Sequence, residues 1–255
     1  MNKLTDRLQM IADEVQKGET MADIGTDHGF LPLYLWENGI SPHVIMCDIS
    51  EPSLAKAKAA AGAYQFGHEL SFRSGDGLTV LASGEVDAVV IAGMGGYLIR
   101  DILADDPAKT ASFSKYVLQP RNNAGVLRHW LVSNGFRIGK NQLVREGKFI
   151  CEIITVFPPK DSETGDMSLS EPLPAETDPS WDLPPDLYET QPELAAEYAR
   201  VKLGIEEKIL KGMQRSASVA PPLLSAVKER IAYFQKYTQD ASTDIPPDVL
   251  ATGDF

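Results

Sequence analysis

Over residues 1–159, short and nearly continuous apolar runs alternate with longer stretches in which apolar positions recur every three or four residues. The runs predict strands over 20–24, 43–47, 70–73, 86–91, 115–118, 136–145 and 149–157. The spaced patterns predict helices over about 3–16, 30–38, 51–63, 96–104 and 122–134. Leu4, Leu8, Ile11 and Val15 make the apolar stripe of the first helix; Val126, Leu127, Trp130 and Leu131 make that of the last, which Gly135 stops. Ser50 is the expected N-cap of a helix running Pro52–Ala61. Strands alternating with helices predict a parallel sheet covered on both faces. Glu146-Gly147 between the last two runs is a hairpin signal, so that edge should run antiparallel.

The rhythm changes after Pro158. Residues 160–191 are rich in Pro, Asp, Glu, Ser and Thr and poor in large apolar residues, which predicts an irregular acidic linker, disordered in part. Residues 192–240 then show two helical stripes, Leu194, Tyr198, Val201, Ile205 and Ile209 over 192–214, and Leu224, Val227, Ile231 and Phe234 over 221–238. With Ser216–Ala220 turning between them they predict an antiparallel helical hairpin, followed by a tail over 241–255. Whether the hairpin stands away from the sheet or packs back on it is open at this level.

Charge alters the picture once its distribution is considered. The net charge of −12 argues against a nucleic-acid partner, but Asp161–Glu189 holds nine acids and no Lys or Arg, which leaves the rest of the chain at −3. Within that remainder Lys115–Lys148 carries Lys115, Arg121, Arg128, Arg137, Lys140, Arg145 and Lys148 against Glu146 alone. Such a face could meet phosphates; an ordinary solvated surface accounts for it equally well. The amphipathic start does not read as a signal peptide, and Ala88–Ile99, the longest glycine-rich apolar run, falls short of the roughly 20 residues of a membrane span. No membrane association and a cytoplasmic setting are expected. Cys47 and Cys151, with His28, His43, His68 and His129, have no metal-ligand spacing; no metal is expected, and the two thiols should be buried.

The most informative stretch is Asp23-Ile24-Gly25-Thr26-Asp27-His28-Gly29-Phe30-Leu31-Pro32. It reads as a strand ending in an acid, a glycine turn that lets a ligand approach the backbone, and a helix. Asp48 closes the second apolar run, Val44–Cys47, where a carboxylate suits ribose hydroxyls. An adenosine-containing cofactor follows, although a ligand-free turn would explain the loop taken alone. Dinucleotide folds use G-x-G-x-x-G to clear room for a pyrophosphate; here Asp27 sits between Gly25 and Gly29 and would repel one. It would tolerate a sulfonium and an ammonium, which favours S-adenosylmethionine over NAD.

Gly75-Asp76-Gly77-Leu78, Ile91-Ala92-Gly93-Met94-Gly95-Gly96 and Leu118-Gln119-Pro120-Arg121-Asn122-Asn123 each follow a predicted strand, at the ends where ligands of open α/β sheets bind. Within them Gly75–Leu78, Ile91–Gly96 and Leu118–Pro120, together with Asp23–Pro32 and the early Arg7-Leu8 and Ile11-Ala12, resemble the bacterial tRNA adenine-N1 methyltransferase family TrmK, which acts on adenine 22 of tRNA. Phe30 stands where the family more often has tyrosine, and the acidic linker is long for it. The resemblance implies an α/β, Rossmann-like class I S-adenosylmethionine-dependent methyltransferase domain with a seven-stranded, mostly parallel sheet, followed by a C-terminal helical hairpin. It implies that Asp23, Gly25, Asp27, His28 and Gly29 form the cofactor loop, with His28 equally suited to holding the loop together. Asp48 would take the ribose, Ile49 would lie beside the adenine, and Gly75, Asp76 and Gly77 would meet the adenine edge. Ala92, Gly93, Met94 and Gly95 would line the sulfonium and substrate side. The Asn/Asp-Pro-Pro-aromatic motif of many amine methyltransferases is missing, which disfavours adenine-N6 chemistry.

Adenine N1 has a free lone pair, so its methylation needs alignment rather than a base. N1 lies on the Watson–Crick edge, so the adenine must be unpaired or flipped. The product is cationic, and Asp27 with the carbonyls of Gly93, Met94 and Gly95 are the groups expected to stabilise it, with Gln119 and Asn122 as hydrogen-bonding partners. The tRNA would be met by Arg121, Arg128, Arg137, Lys140, Arg145 and Lys148. A methyltransferase for another RNA, a protein or a small molecule, and a non-catalytic adenosine-cofactor-binding module, are the competing readings; Asp27 weighs against an NAD-dependent oxidoreductase. Oligomeric state is not readable.

Overall fold

The structure is a computed structural model and describes residues 3–62, 69–159, 172–215 and 220–238. Its strands are β1 (Met21–Ile24), β2 (Val44–Asp48), β3 (Leu70–Ser74), β4 (Ala88–Met94), β5 (Lys115–Pro120), β6 (Arg137–Glu146) and β7 (Phe149–Phe157). They form one sheet in the order β3-β2-β1-β4-β5-β7-β6. The first five are parallel, and β7 runs antiparallel to both β5 and β6. The antiparallel edge arises where expected: Glu146 pairs with Phe149 and Gly147 turns with φ +60°.

Helices α1 (Asp6–Asp13), α2 (Phe30–Glu37) and α3 (Glu51–Ala61) cover one face, and α4 (Gly96–Asp105), α5 (Pro107–Ala111) and α6 (Ala124–Ser133) the other. Successive residues of the central strands feed opposite cores. Val44 and Met46 join Ile11, Leu35 and Val90, whereas Ile45 and Cys47 join Ile91, Leu118 and Leu127. Burial on both faces is why these strands read as continuous apolar runs rather than alternating ones. Ser50 caps α3, its hydroxyl accepting from Ser53 N at 3.4 Å. The short α5 and a 3₁₀ turn over Gly77–Val80 carry too few residues to leave a period in the sequence.

The second half of the expected linker is ordered. A 3₁₀ turn (Pro179–Trp181) and α7 (Pro185–Thr190) lead into α8 (Pro192–Gln214) and α9 (Pro221–Lys236). Leu183 and Leu187 are fully buried with Leu143, Ala195, Tyr198, Ala199 and Phe234. Two leucines among prolines and acids gave no periodic signal, yet they plug the junction between sheet and hairpin. The Gln191 side chain finishes the sheet: its Oε1 accepts from Leu143 N at 2.7 Å and its Nε2 donates to Leu143 O at 2.8 Å, pairing part of an edge strand. The base of the hairpin therefore packs on β6, while Ile205, Ile209 and Leu223 farther along are exposed. Residues 160–171, most of the predicted 216–220 turn, His68 and the tail lie outside the described residues.

Candidate active site

Four loops meet at the C-terminal ends of β1, β2, β3 and β4 around a cavity of about 280 Å³. Gly25 lines it with φ +83°, a conformation L side chains rarely adopt, and a Cβ there would run into the Met94 methyl. Asp48 and Ile49 form one wall. Asp48 Oδ1 accepts from Ser50 N at 2.7 Å, which fixes the carboxylate at the strand end. Gly75, Asp76 and Gly77 form the next wall; Asp76 precedes the 3₁₀ turn but makes no side-chain cap with it. Leu98 and Ile102, one turn apart on α4, supply an apolar side. Cys47 lines the cavity as well, and burial, reinforced by Asp23, pushes its thiol up to about 12, so it stays protonated.

Ala92, Gly93 and Met94 complete the cavity. Gly93 has φ +76° and nothing within 4 Å of where a Cβ would stand, so its peptide is an open ledge. Its N–H donates to Gln119 Oε1 at 3.1 Å. Arg7 Nη1 donates to the same oxygen at 3.1 Å, and Arg7 Nε is ion-paired with Glu146. The loop after β5 clamps the ledge from the other side: Arg121 N donates to Met94 O at 2.7 Å and Gly96 N to Asn122 O at 3.0 Å. Gly95 O accepts from Ile99 N at 3.0 Å, so the Met94 and Gly95 carbonyls each spend a lone pair within the loops. Gln119 is buried, with Oε1 on the ledge and Nε2 donating to Pro120 O at 3.0 Å. Asn122 is part-exposed beside Gly95, and Asn123 Nδ2 donates to its Oδ1 at 3.0 Å.

Several expected site residues stand elsewhere. Asp27 is not in the cavity lining; it is 65 % exposed, 2.9 Å from His28 Nδ1 and 3.4 Å from Lys56 Nζ. Against a small loss of hydration, His28 and Lys56 hold its carboxyl below the usual range. It faces out because α3 brings Lys56 to the outer side of the loop. His28 is off the lining too and stacks on Phe30, ring centroids 5.2 Å apart and nearly coplanar in orientation. Gly29 begins α2 in the left-handed region and packs on α3 near Ala57. Asp23 lies behind the loop, 7 % exposed; burial first, helped by Asp48 and opposed by Thr26 and then Arg7, raises its carboxyl to about 6.

The basic segment divides. Arg128 is fully buried, with Nε on Asn141 Oδ1 at 2.9 Å, Nη1 on the Trp181 carbonyl at 2.9 Å and Nη2 on Glu152, which also accepts from Tyr198. It joins the sheet to the helical hairpin and cannot meet phosphate. Leu118 of β5 pairs with Ile154 of β7, so the end of β6 and start of β7 lie at the cavity end of the sheet. Arg121, Arg145 and Lys148 belong to that end. Arg137 and Lys140 lie at the other, Arg137 over the Phe157 ring and Lys140 2.6 Å from Glu14. Ile24, Cys47, Leu98 and Ile102 in the lining, and Arg7 as the brace, were not distinguished beforehand. The four lining residues have the apolar character of core positions, and the motif that includes Arg7 assigns it no contact. Among the described residues no group of His, Cys, Asp and Glu could hold a metal ion, and no helix is long and apolar enough to cross a membrane.

A Rossmann-like sheet extended by an antiparallel hairpin, with a ribose-type acid and glycine turns around one cavity, defines a class I S-adenosylmethionine-dependent methyltransferase. Residues 4–154 match the family described as methyltransferase domain. The tRNA (adenine(22)-N(1))-methyltransferase of Bacillus subtilis is 34 % identical over 169 residues, 66 % of this chain and 71 % of that protein. A crystal structure of the B. subtilis m1A22 tRNA methyltransferase TrmK superposes with a TM-score of 0.78 at 27 % identity, covering 93 % of this chain and 99 % of that one. Mycoplasma capricolum TrmK, solved with S-adenosyl-homocysteine, shares the fold over 98 % of this chain and 100 % of that one, with a TM-score of 0.74 and 22 % identity. The chain belongs to the bacterial tRNA (adenine-N1)-methyltransferase family TrmK.

Proposed function

We propose that this protein methylates N1 of adenine 22 in bacterial tRNA and works in the cytoplasm. One observation carries the reading: the groups around the open Gly93 ledge are glycine peptides and the amides of Gln119 and Asn122, while Asp27 turns outward and Asp23 is sealed behind the loop. A site furnished this way suits an acceptor nitrogen that already has a lone pair and needs no base. The likeness to the B. subtilis enzyme supports adenine 22 as that acceptor.

The cavity fits S-adenosylmethionine, which when bound supplies an electrophilic methyl group. Asp48 would accept from the ribose hydroxyls, Ile49 with Leu98 and Ile102 would sandwich the adenine, and Asp76 would accept from its exocyclic amine. Gly25 and Gly93 leave room for the methionine part, and Met94 closes over the loop. The Gln119–Arg7 brace keeps the ledge fixed, so a flipped adenine would meet a prepared surface. That preorganisation lowers a barrier through proximity and fixed dipoles.

The test is to incubate the protein with methyl-labelled S-adenosylmethionine and bulk bacterial tRNA, then digest and identify the labelled nucleoside. 1-Methyladenosine is expected, lost when the tRNA carries guanosine at position 22. Label in N6-methyladenosine, or none in tRNA, would overturn the proposal.

A further inference from the structure

We infer that Phe149 and Lys148, at the tip of the β6–β7 hairpin, form the contact that holds an unpaired nucleobase of the RNA substrate at the mouth of the site. The inference rests on the tRNA reading and identifies residues that the site itself does not contain. Phe149 is 48 % exposed, which is unusual for a phenylalanine opening a strand. It pairs across the hairpin with Glu146, the carboxylate held by Arg7. Arg7 reaches Gln119, and Gln119 holds the Gly93 peptide, so three side chains connect this ring to the ledge.

The side of the ring follows from strand alternation. Cys151 and Ile153, two and four residues on, pack into the α1–α2–α3 core, whereas Ile150 packs toward the helical hairpin. Phe149 therefore stands on the α1 face, the side from which Arg7 reaches Gln119, and away from α8. Lys148 Nζ lies 5.3 Å from the ring centroid. The local charge favours an anion. Arg121 is exposed at the same end of the sheet, while the nearby acids Glu146 and Glu197 are neutralised by Arg7 and Arg145. An exposed ring with a cation beside it is how proteins grip single-stranded RNA, the ring stacking a base and the cation meeting a phosphate.

The experiment is steady-state methylation of tRNA by the full chain and by Phe149→Ala, Phe149→Tyr and Lys148→Ala, with calorimetry of cofactor binding. Phe149→Ala should raise the tRNA KM about 5- to 100-fold, with kcat and cofactor affinity within about threefold of wild type. Phe149→Tyr, which keeps the stacking face, should restore KM to about twofold of wild type. Lys148→Ala should reduce the log–log salt slope of tRNA binding by about 0.7. An unchanged KM in Phe149→Ala, or an equal loss in Phe149→Tyr, would overturn the inference, as would a parallel loss of cofactor affinity. The two readings fail differently. A wild-type protein that binds cofactor but leaves tRNA unlabelled refutes the tRNA function; one that labels tRNA while Phe149→Ala keeps its KM refutes only this contact.

Discussion

The Gly93 amide donates to Gln119 Oε1, and the same oxygen takes a second hydrogen bond from the Arg7 guanidinium. One buried side chain thus connects the first helix of the chain to the ledge after β4. Gln119→Leu removes both bonds, leaving the Gly93 N–H without its acceptor and Arg7 held by Glu146. Hydrogen bonds to charged groups are worth about 1.5–3 kcal/mol. The expected result is a 10- to 100-fold fall in kcat for tRNA methylation, because the loosened ledge no longer holds the acceptor in register. Cofactor affinity should change by less than about threefold, since Asp48 and Asp76 lie across the cavity. Single-turnover rates at saturating cofactor measure the first quantity and calorimetry the second; an unchanged rate would reduce Gln119 to a packing residue.

Asp48 has one oxygen engaged by Ser50 N, and its carboxylate borders the cavity. Asp48→Ala should weaken S-adenosylmethionine binding at least tenfold, the loss of one charge-assisted hydrogen bond. Calorimetry on the folded variant decides it: wild-type affinity would remove Asp48 from the binding role.

The parts legible in the sequence are those carried by local pattern. Strand runs, the Ser50 cap, the Gly147 turn and the four strand-end loops each have a signature within a few residues, and the loops converge because parallel strands bring their C-terminal ends together. What was illegible depends on packing between distant segments. Leu183 and Leu187 look like linker residues until the hairpin closes over them. Asp27 looks like a cofactor contact until α3 places Lys56 outside it. Arg128 has the same one-dimensional appearance as Arg121; the difference is a buried Glu152 that β7 delivers and a Trp181 carbonyl that takes a second donor of the guanidinium.

Asp23 gives a pH signature. Its folded-state value of about 6 lies above the usual 3.8, because burial and Asp48 disfavour the charge. Well below pH 3.8 the carboxyl is neutral in folded and unfolded chains alike and contributes nothing. As pH rises from 4 to 6 the unfolded chain ionises first, so stability is lost; the cost reaches roughly 3 kcal/mol at neutral pH. Asp23→Asn should therefore be more stable than wild type in denaturant titrations at pH 7 without cofactor, with the advantage shrinking toward zero near pH 4. An advantage independent of pH would show that ionisation of Asp23 is not the cause.

Arg128 and Arg121 should respond in opposite ways. The buried guanidinium holds Glu152, Asn141 and the Trp181 carbonyl, and its loss takes from the buried Glu152 carboxylate its ion-pair partner. Breaking such a pair from one side costs about 3–5 kcal/mol. Arg128→Ala should thus lower the urea midpoint sharply, or leave little folded protein, while whatever folds keeps the wild-type salt dependence of tRNA binding. Arg121 is exposed at the cavity end of the sheet, and its backbone N–H donates to Met94 O. Arg121→Ala should leave the urea midpoint within about 0.5 kcal/mol of wild type and flatten the log–log salt slope by about 0.7. Denaturant titration and salt-dependent tRNA binding on both variants provide the check. A flattened slope in Arg128→Ala at unchanged stability would contradict the buried placement, and an unchanged slope in Arg121→Ala would remove that residue from the RNA face.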